Sequence, residues 1–116
     1  MTYTGGDDIV STGTVSANTT FIYGVQFQTG SIQSAFINGT SSGSRTPTNV
    51  RTQPNTGNVL GSTVQGQNMY GSISEILVFN TNHTTLERQR IEGYLAWKWS
   101  LQSQLPSDHP YKSAAP

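Results

Sequence analysis

The dipeptide Asn38-Gly39 constrains this chain more than any other two residues. It separates the run SIQSAFI from the run TSSGSR. A two-residue type I′ turn needs positive φ at both central positions, and Asn followed by Gly meets that demand with the least strain. A hairpin over residues 31–45 is therefore expected. Upstream, in TFIYGVQFQ, Phe21, Tyr23, Val25 and Phe27 alternate with Ile22, Gly24, Gln26 and Gln28. That period of two reads as a strand. The first set is expected to face the core and the second the wetter side. Thr29-Gly30 supplies a turn, so residues 20–45 are predicted to form a three-stranded antiparallel meander.

Downstream the signals change. Pro47, Pro54, Gly57, Gly61 and Gly66 punctuate residues 46–70, which predicts loops with one short strand near Asn58–Val64. GSISEILVFN, residues 71–80, reads as a strand whose apolar residues Ile73, Ile76, Leu77, Val78 and Phe79 fall on both faces, as in a strand covered on both sides. A helix is predicted over 84–101. Thr84 and Glu87 have the spacing of a capping box, and Leu86, Ile91, Tyr94, Leu95 and Trp99 recur at helical spacing as an amphipathic stripe. Arg88 and Glu92 stand at i,i+4 and can pair. Pro106 and Pro110 end the helical pattern and leave a Pro-containing tail over 102–116.

Composition narrows the function classes. With 116 residues the chain is read as one domain over 1–116. Only 10% of residues are charged and the formal net charge is zero, whereas ordinary domains carry about 25% charged residues. Asp7, Asp8, Arg45 and Arg51 are the only charges before residue 71. No basic patch can neutralise a row of phosphates, so nucleic acid is not an expected partner. No apolar run is long enough to span a bilayer, and no signal peptide pattern opens the chain, so no membrane role is expected. There is no Cys, hence no disulfide and no thiolate metal site.

The segments GSISEILVFN, TTLERQRIEGYLAWKWSLQ and LPSDHPY resemble the ending of concanavalin A-like lectin/glucanase domains of the laminin-G-like kind. FIYGVQFQTGSIQSAFINGT is similar to an internal strand–turn–strand of the same fold. The resemblance covers residues 9–112 and implies a mostly-β, antiparallel jelly-roll β-sandwich, here its C-terminal half, closed by one C-terminal amphipathic helix. It also implies company: proteins with this ending include surface, adhesion and virion proteins. A full jelly roll needs many more strands than are read here. A half-sandwich leaves an edge and an apolar face to be covered, by other copies or by a larger virion or surface protein. The expectation is a non-enzymatic structural module at a virion or extracellular surface, such as a capsid decoration, minor capsid or fibre protein. The alternative is a lectin-like module for host or surface glycans.

Candidate site residues follow from the same reading. Phe79, Ile91, Tyr94, Leu95, Trp97, Trp99 and Tyr111 are expected to close the fold. Trp97 and Trp99 point roughly 200° apart on a helix, so at most one joins the stripe. The bland role for both, and for His109 and Tyr111, is packing the helix and tail onto the sheet. For a sugar ligand the candidates are Tyr70, Asn68, Trp97 and Trp99. No catalytic residue is assigned. Glycoside hydrolysis needs two carboxylates about 5–10 Å apart flanking the bond, and the E-x-D-x-x-E strand of the glucanase relatives has no counterpart here. His83 and His109 without Cys do not make a zinc site. Asp7-Asp8 could ligate calcium, though adjacent acids in a Gly-rich stretch are ordinarily a solvated loop. No cofactor is expected.

Overall fold

The protein is described from a computed structural model, which defines residues 13–28, 31–46 and 68–116. The turn at Thr29-Gly30, the short strand near Asn58–Val64 and the pair Asp7-Asp8 lie outside the described residues. The chain divides into two compact units, one built from Met1–Val50 with Thr81–Pro116 and one from Arg51–Asn80; a single 1–116 domain was the expectation.

The first unit holds β1 (Tyr23–Phe27), β2 (Gln33–Ile37) and β3 (Thr40–Arg45), an antiparallel sheet in the order β1-β2-β3. This is the predicted meander. Ile37 pairs with Thr40 across the turn, and Asn38 and Gly39 have φ of 49° and 81°. Both are left-handed, as a type I′ turn requires. Between Ala35 and Phe36 the register with β3 shifts by one residue, a bulge on β3 at which Gly43 takes φ of 147°. The buried Ser42 accepts a hydrogen bond at its Oγ from the Gly13 N–H, 3.1 Å away.

The helix α1 (Thr85–Lys98) starts and stops for local reasons. Thr84 is the N-cap; its Oγ1 accepts from the Glu87 N–H, and Glu87 Oε2 accepts from the Thr84 N–H at 2.8 Å, a complete capping box. At the other end Ser100 takes φ of 58°, and the Leu101 N–H reaches back to the Ala96 carbonyl at 2.7 Å. This is the six-to-one bond of a Schellman ending, with Ser in the place Gly usually holds. Leu101 and Ala96, the two residues that such an ending brings together, both enter the core. A 3-10 turn, Gln102–Gln104, follows.

The core of this unit is Ile22, Ala96, Leu101 and Leu105, with Leu95 packed against it. Its position corrects three expectations. Ile22 was placed on the wetter side of its strand, yet it is buried, while Tyr23, Val25 and Phe27 are 52%, 50% and 50% exposed. The helix covers the Ile22–Gly24–Gln26 side instead: the Gln26 Nε2 donates to the His83 carbonyl at 2.8 Å, and the Arg88 guanidinium stacks 3.8 Å over the Phe36 ring. The buried face of α1 is also turned from the expected stripe. It consists of Glu92, Gly93 and Ala96, whereas Leu86, Tyr94, Trp97 and Trp99 are exposed. Small side chains there admit the tail at close range, and the bulky ones are left at the rim. Finally, strands and helix are nearly balanced, so the described fold is mixed α/β, not mostly β.

In the second unit only residues 68–80 are described. Residues 71–80 show no strand among the described residues, against expectation, and Ile73, Ile76, Leu77, Val78 and Phe79 are exposed.

Candidate functional site

The sequence elements singled out above converge at the tip of the β2–β3 hairpin. The Asn38 N–H donates to the Ile22 carbonyl at 2.9 Å, and its Oδ1 accepts from the Ile22 N–H at 2.8 Å. Its Nδ2 donates to Gln104 Oε1 at 2.8 Å, while Gln104 Nε2 donates to the Thr20 carbonyl at 3.0 Å. One asparagine thus shapes the turn, satisfies the backbone ahead of β1 and ties both to the tail. Gly39 packs so closely that a Cβ there would lie 3.1 Å from His109 Cδ2 and 3.4 Å from Glu92 Oε2.

Beneath the hairpin tip lies a buried polar cluster. Arg88 forms an ion pair with Glu92 Oε1, and Glu92 Oε2 lies 3.3 Å from His109 Nε2. The side chains of Glu92 and His109 are 5% and 1% exposed. His109 Nδ1 accepts from the Tyr111 N–H at 3.2 Å, so that nitrogen carries no proton. Nε2 therefore holds the ring proton and donates it to Glu92, the second oxygen of which serves Arg88. A buried carboxylate is tolerated when its lone pairs are satisfied in this way.

The tail closes over the helix through Tyr111 and is tied to its own 3-10 turn through Lys112. The Tyr111 ring and Cβ lie on Gly93, where an added Cβ would approach to 2.6 Å. The Tyr111 carbonyl accepts from Trp97 Nε1 at 2.8 Å. A hydrogen bond between Arg90 and the Tyr111 hydroxyl raises the Arg90 pKa above its ordinary value. The Lys112 ammonium donates to the carbonyls of Ser103 at 3.0 Å and Leu105 at 2.6 Å.

This geometry sorts the expected residues. Leu95 and Tyr111 join the closure, Ile91 is half-buried, and Trp97 contributes through its indole N–H. Tyr94 and Trp99 do not enter the core. They flank Lys98, whose ammonium donates to the Tyr94 hydroxyl at 2.9 Å and lies 5.2 and 5.8 Å from the Tyr94 and Trp99 ring centres. Phe79, Asn68 and Tyr70 belong to the second unit, and Tyr70 is 99% exposed. Sequence reasoning missed Ile22, Ala96, Leu101, Leu105, Gly93, Gln104 and Lys112. It noted Arg88, Glu92 and His109 without joining them, although E-G in IEGY and H-P-Y in the tail were the available signal.

Chemically the cluster is closed. Both His109 nitrogens are engaged, so it has no lone pair to offer a substrate proton or a metal. Among the described residues no three of His, Asp or Glu gather closely enough to hold a metal ion. Among them, too, no helix is long and apolar enough to cross a membrane. Comparison with models of known protein families, with curated proteins and with solved structures finds no match.

Proposed function

We propose that this chain is a non-enzymatic interaction module of a virion or extracellular surface, part of a concanavalin A-like jelly roll, which assembles with its own copies or with a larger surface protein. The observation that carries the reading is the row Tyr23, Val25 and Phe27, each about half exposed on one face of β1. A row of apolar side chains on one sheet face is the kind of surface that a partner covers. Two observations support it. The motif residues Glu92, Gly93, His109 and Tyr111 are spent on closing the fold, and the chain carries 10% charged residues with a formal net charge of zero, a composition that does not favour binding to phosphates.

The test is the mass in solution of the protein and of Val25→Lys, with and without the candidate surface protein. An exposed substitution leaves folding stability within about 0.5 kcal/mol, so lost association with an unchanged melt supports the reading. A wild-type chain that stays a lone monomer, alone and with partners, overturns it.

A lectin-like role is the second reading, favoured by the exposed rings of Tyr94 and Trp99 around Lys98. Aromatic rings stack on sugar faces, and a nearby ammonium donates to hydroxyl or carboxylate oxygens. A glycan array with and without calcium tests it; silence across broad glycan classes removes it.

A further inference from the structure

We propose that Asn38 is a site of spontaneous deamidation which the docked tail holds in check, and that its conversion loosens the tail. Asn38-Gly39 is the only Asn-Gly pair in the chain. Asparagine is thermolabile, and it is most so before glycine, where no side chain shields the following nitrogen. The Gly39 backbone nitrogen, after losing its proton to solvent base, attacks Asn38 Cγ. The new N–Cγ bond closes a succinimide, and the side-chain nitrogen leaves as ammonia. Water then opens the ring. Breaking the new N–Cγ bond yields aspartate; breaking the original backbone C–N bond yields isoaspartate. The sum is amide plus water to acid plus ammonia.

The fold opposes the first step. Asn38 Oδ1 is held by the Ile22 N–H and Nδ2 by Gln104, both at 2.8 Å, so the side chain is pinned at both ends. The turn fixes φ of Asn38 at 49°, and His109, Glu92 and Pro106 crowd Gly39. The tail's share of this restraint, the Gln104 bond to Nδ2 and the His109 ring against Gly39, is lost when the segment that carries them opens.

The same contacts make the product incompatible with docking. Aspartate has no Nδ2 proton for Gln104 Oε1, and its carboxylate would face that oxygen acceptor against acceptor. Isoaspartate adds a backbone methylene to a two-residue turn whose geometry needs none. Modification therefore follows opening of the tail and prevents its return.

The experiment incubates the full chain at mildly alkaline pH in three forms: native, unfolded in urea, and native Gln104→Ala. Peptide mapping by mass spectrometry reads conversion at Asn38. The urea arm is expected to convert about tenfold faster than native protein or more, since a locked segment reacts only through its open fraction, with Gln104→Ala between. Should Gln104→Ala fail to fold, Tyr111→Ala, which removes the ring packed on Gly93, loosens the same tail. Converted protein, refolded, is expected to show faster hydrogen exchange at Tyr111 and Lys112 than unconverted protein. Equal rates in native and urea arms, a variant no faster than wild type, or unchanged tail exchange after conversion each overturns the proposal.

Discussion

Alanine at Gly93 should destabilise the sheet-and-helix unit, although in an exposed helix the same change stabilises by about 1 kcal/mol. The reversal comes from Tyr111. An added Cβ would stand 2.6 Å from the Tyr111 Cβ and 2.8 Å from its Cγ. Rotation about the Cα–Cβ bond moves the Cγ but leaves the Cβ in place, so no rotamer change clears the closer contact and the tail backbone must move. Overpacking costs about 1–3 kcal/mol, and root-to-root contact belongs at the upper end. If Tyr111 withdraws instead, the bonds from Trp97 Nε1 to its carbonyl and from its N–H to His109 are lost, at about 0.5–1.5 kcal/mol each. Either route costs about 3 kcal/mol. After the helical gain the net loss is about 2 kcal/mol, a fall in Tm of about 8 °C or more for a domain of this size. Urea titration followed by far-UV circular dichroism and Trp fluorescence measures it. The decisive control repeats the change in a Tyr111→Gly background, where Gly93→Ala should stabilise by up to about 1 kcal/mol. Stabilisation in the wild-type background would refute the packing argument.

Three further outcomes follow from the same contacts. Glu92→Ala leaves the half-buried Arg88 and the buried His109 without their carboxylate and should cost about 3 kcal/mol, read by urea denaturation, with Glu92→Gln losing less. Gly39→Ala forces a Cβ into left-handed backbone at about 1–2 kcal/mol, before its tight approach to His109, and should lower the thermal midpoint correspondingly. Hydrogen bonds from the Thr84 backbone and side chain hold the Glu87 pKa below its ordinary value of 4.5. A depressed carboxylate pKa stabilises the fold above the unfolded value and loses that contribution as pH falls through the folded one. Helix ellipticity should therefore weaken on acidification below about 4.5, and Thr84→Ala should flatten that response.

Local chemistry was legible wherever a few adjacent residues decide the outcome. Asn38-Gly39 set its turn because positive φ is a property of those two residues. Thr84 and Glu87 set the helix start because the bonds they make span three residues. The orientation of β1 was not legible, because alternation separates two faces without saying which is covered. Helix and tail chose the side of Ile22, so the greasier row of Tyr23, Val25 and Phe27 became the exposed one. The site residues were misjudged for the same reason: apolar size pointed to Tyr94 and Trp99, and close approach selected Gly93 and Ala96.

By itself, then, the sequence determined the three strands, the hairpin turn, the helix and its cap, since each rests on backbone preferences settled within a few residues. Only the tertiary structure decided which faces are buried, and that Arg88, Glu92 and His109 form one cluster under Gly39. His109 lies 17 residues beyond Glu92, and Gln104 lies 66 beyond Asn38. Pairings at such separations depend on where the tail returns, a choice made by the packing of Ile22, Ala96, Leu101 and Leu105 rather than by any local preference.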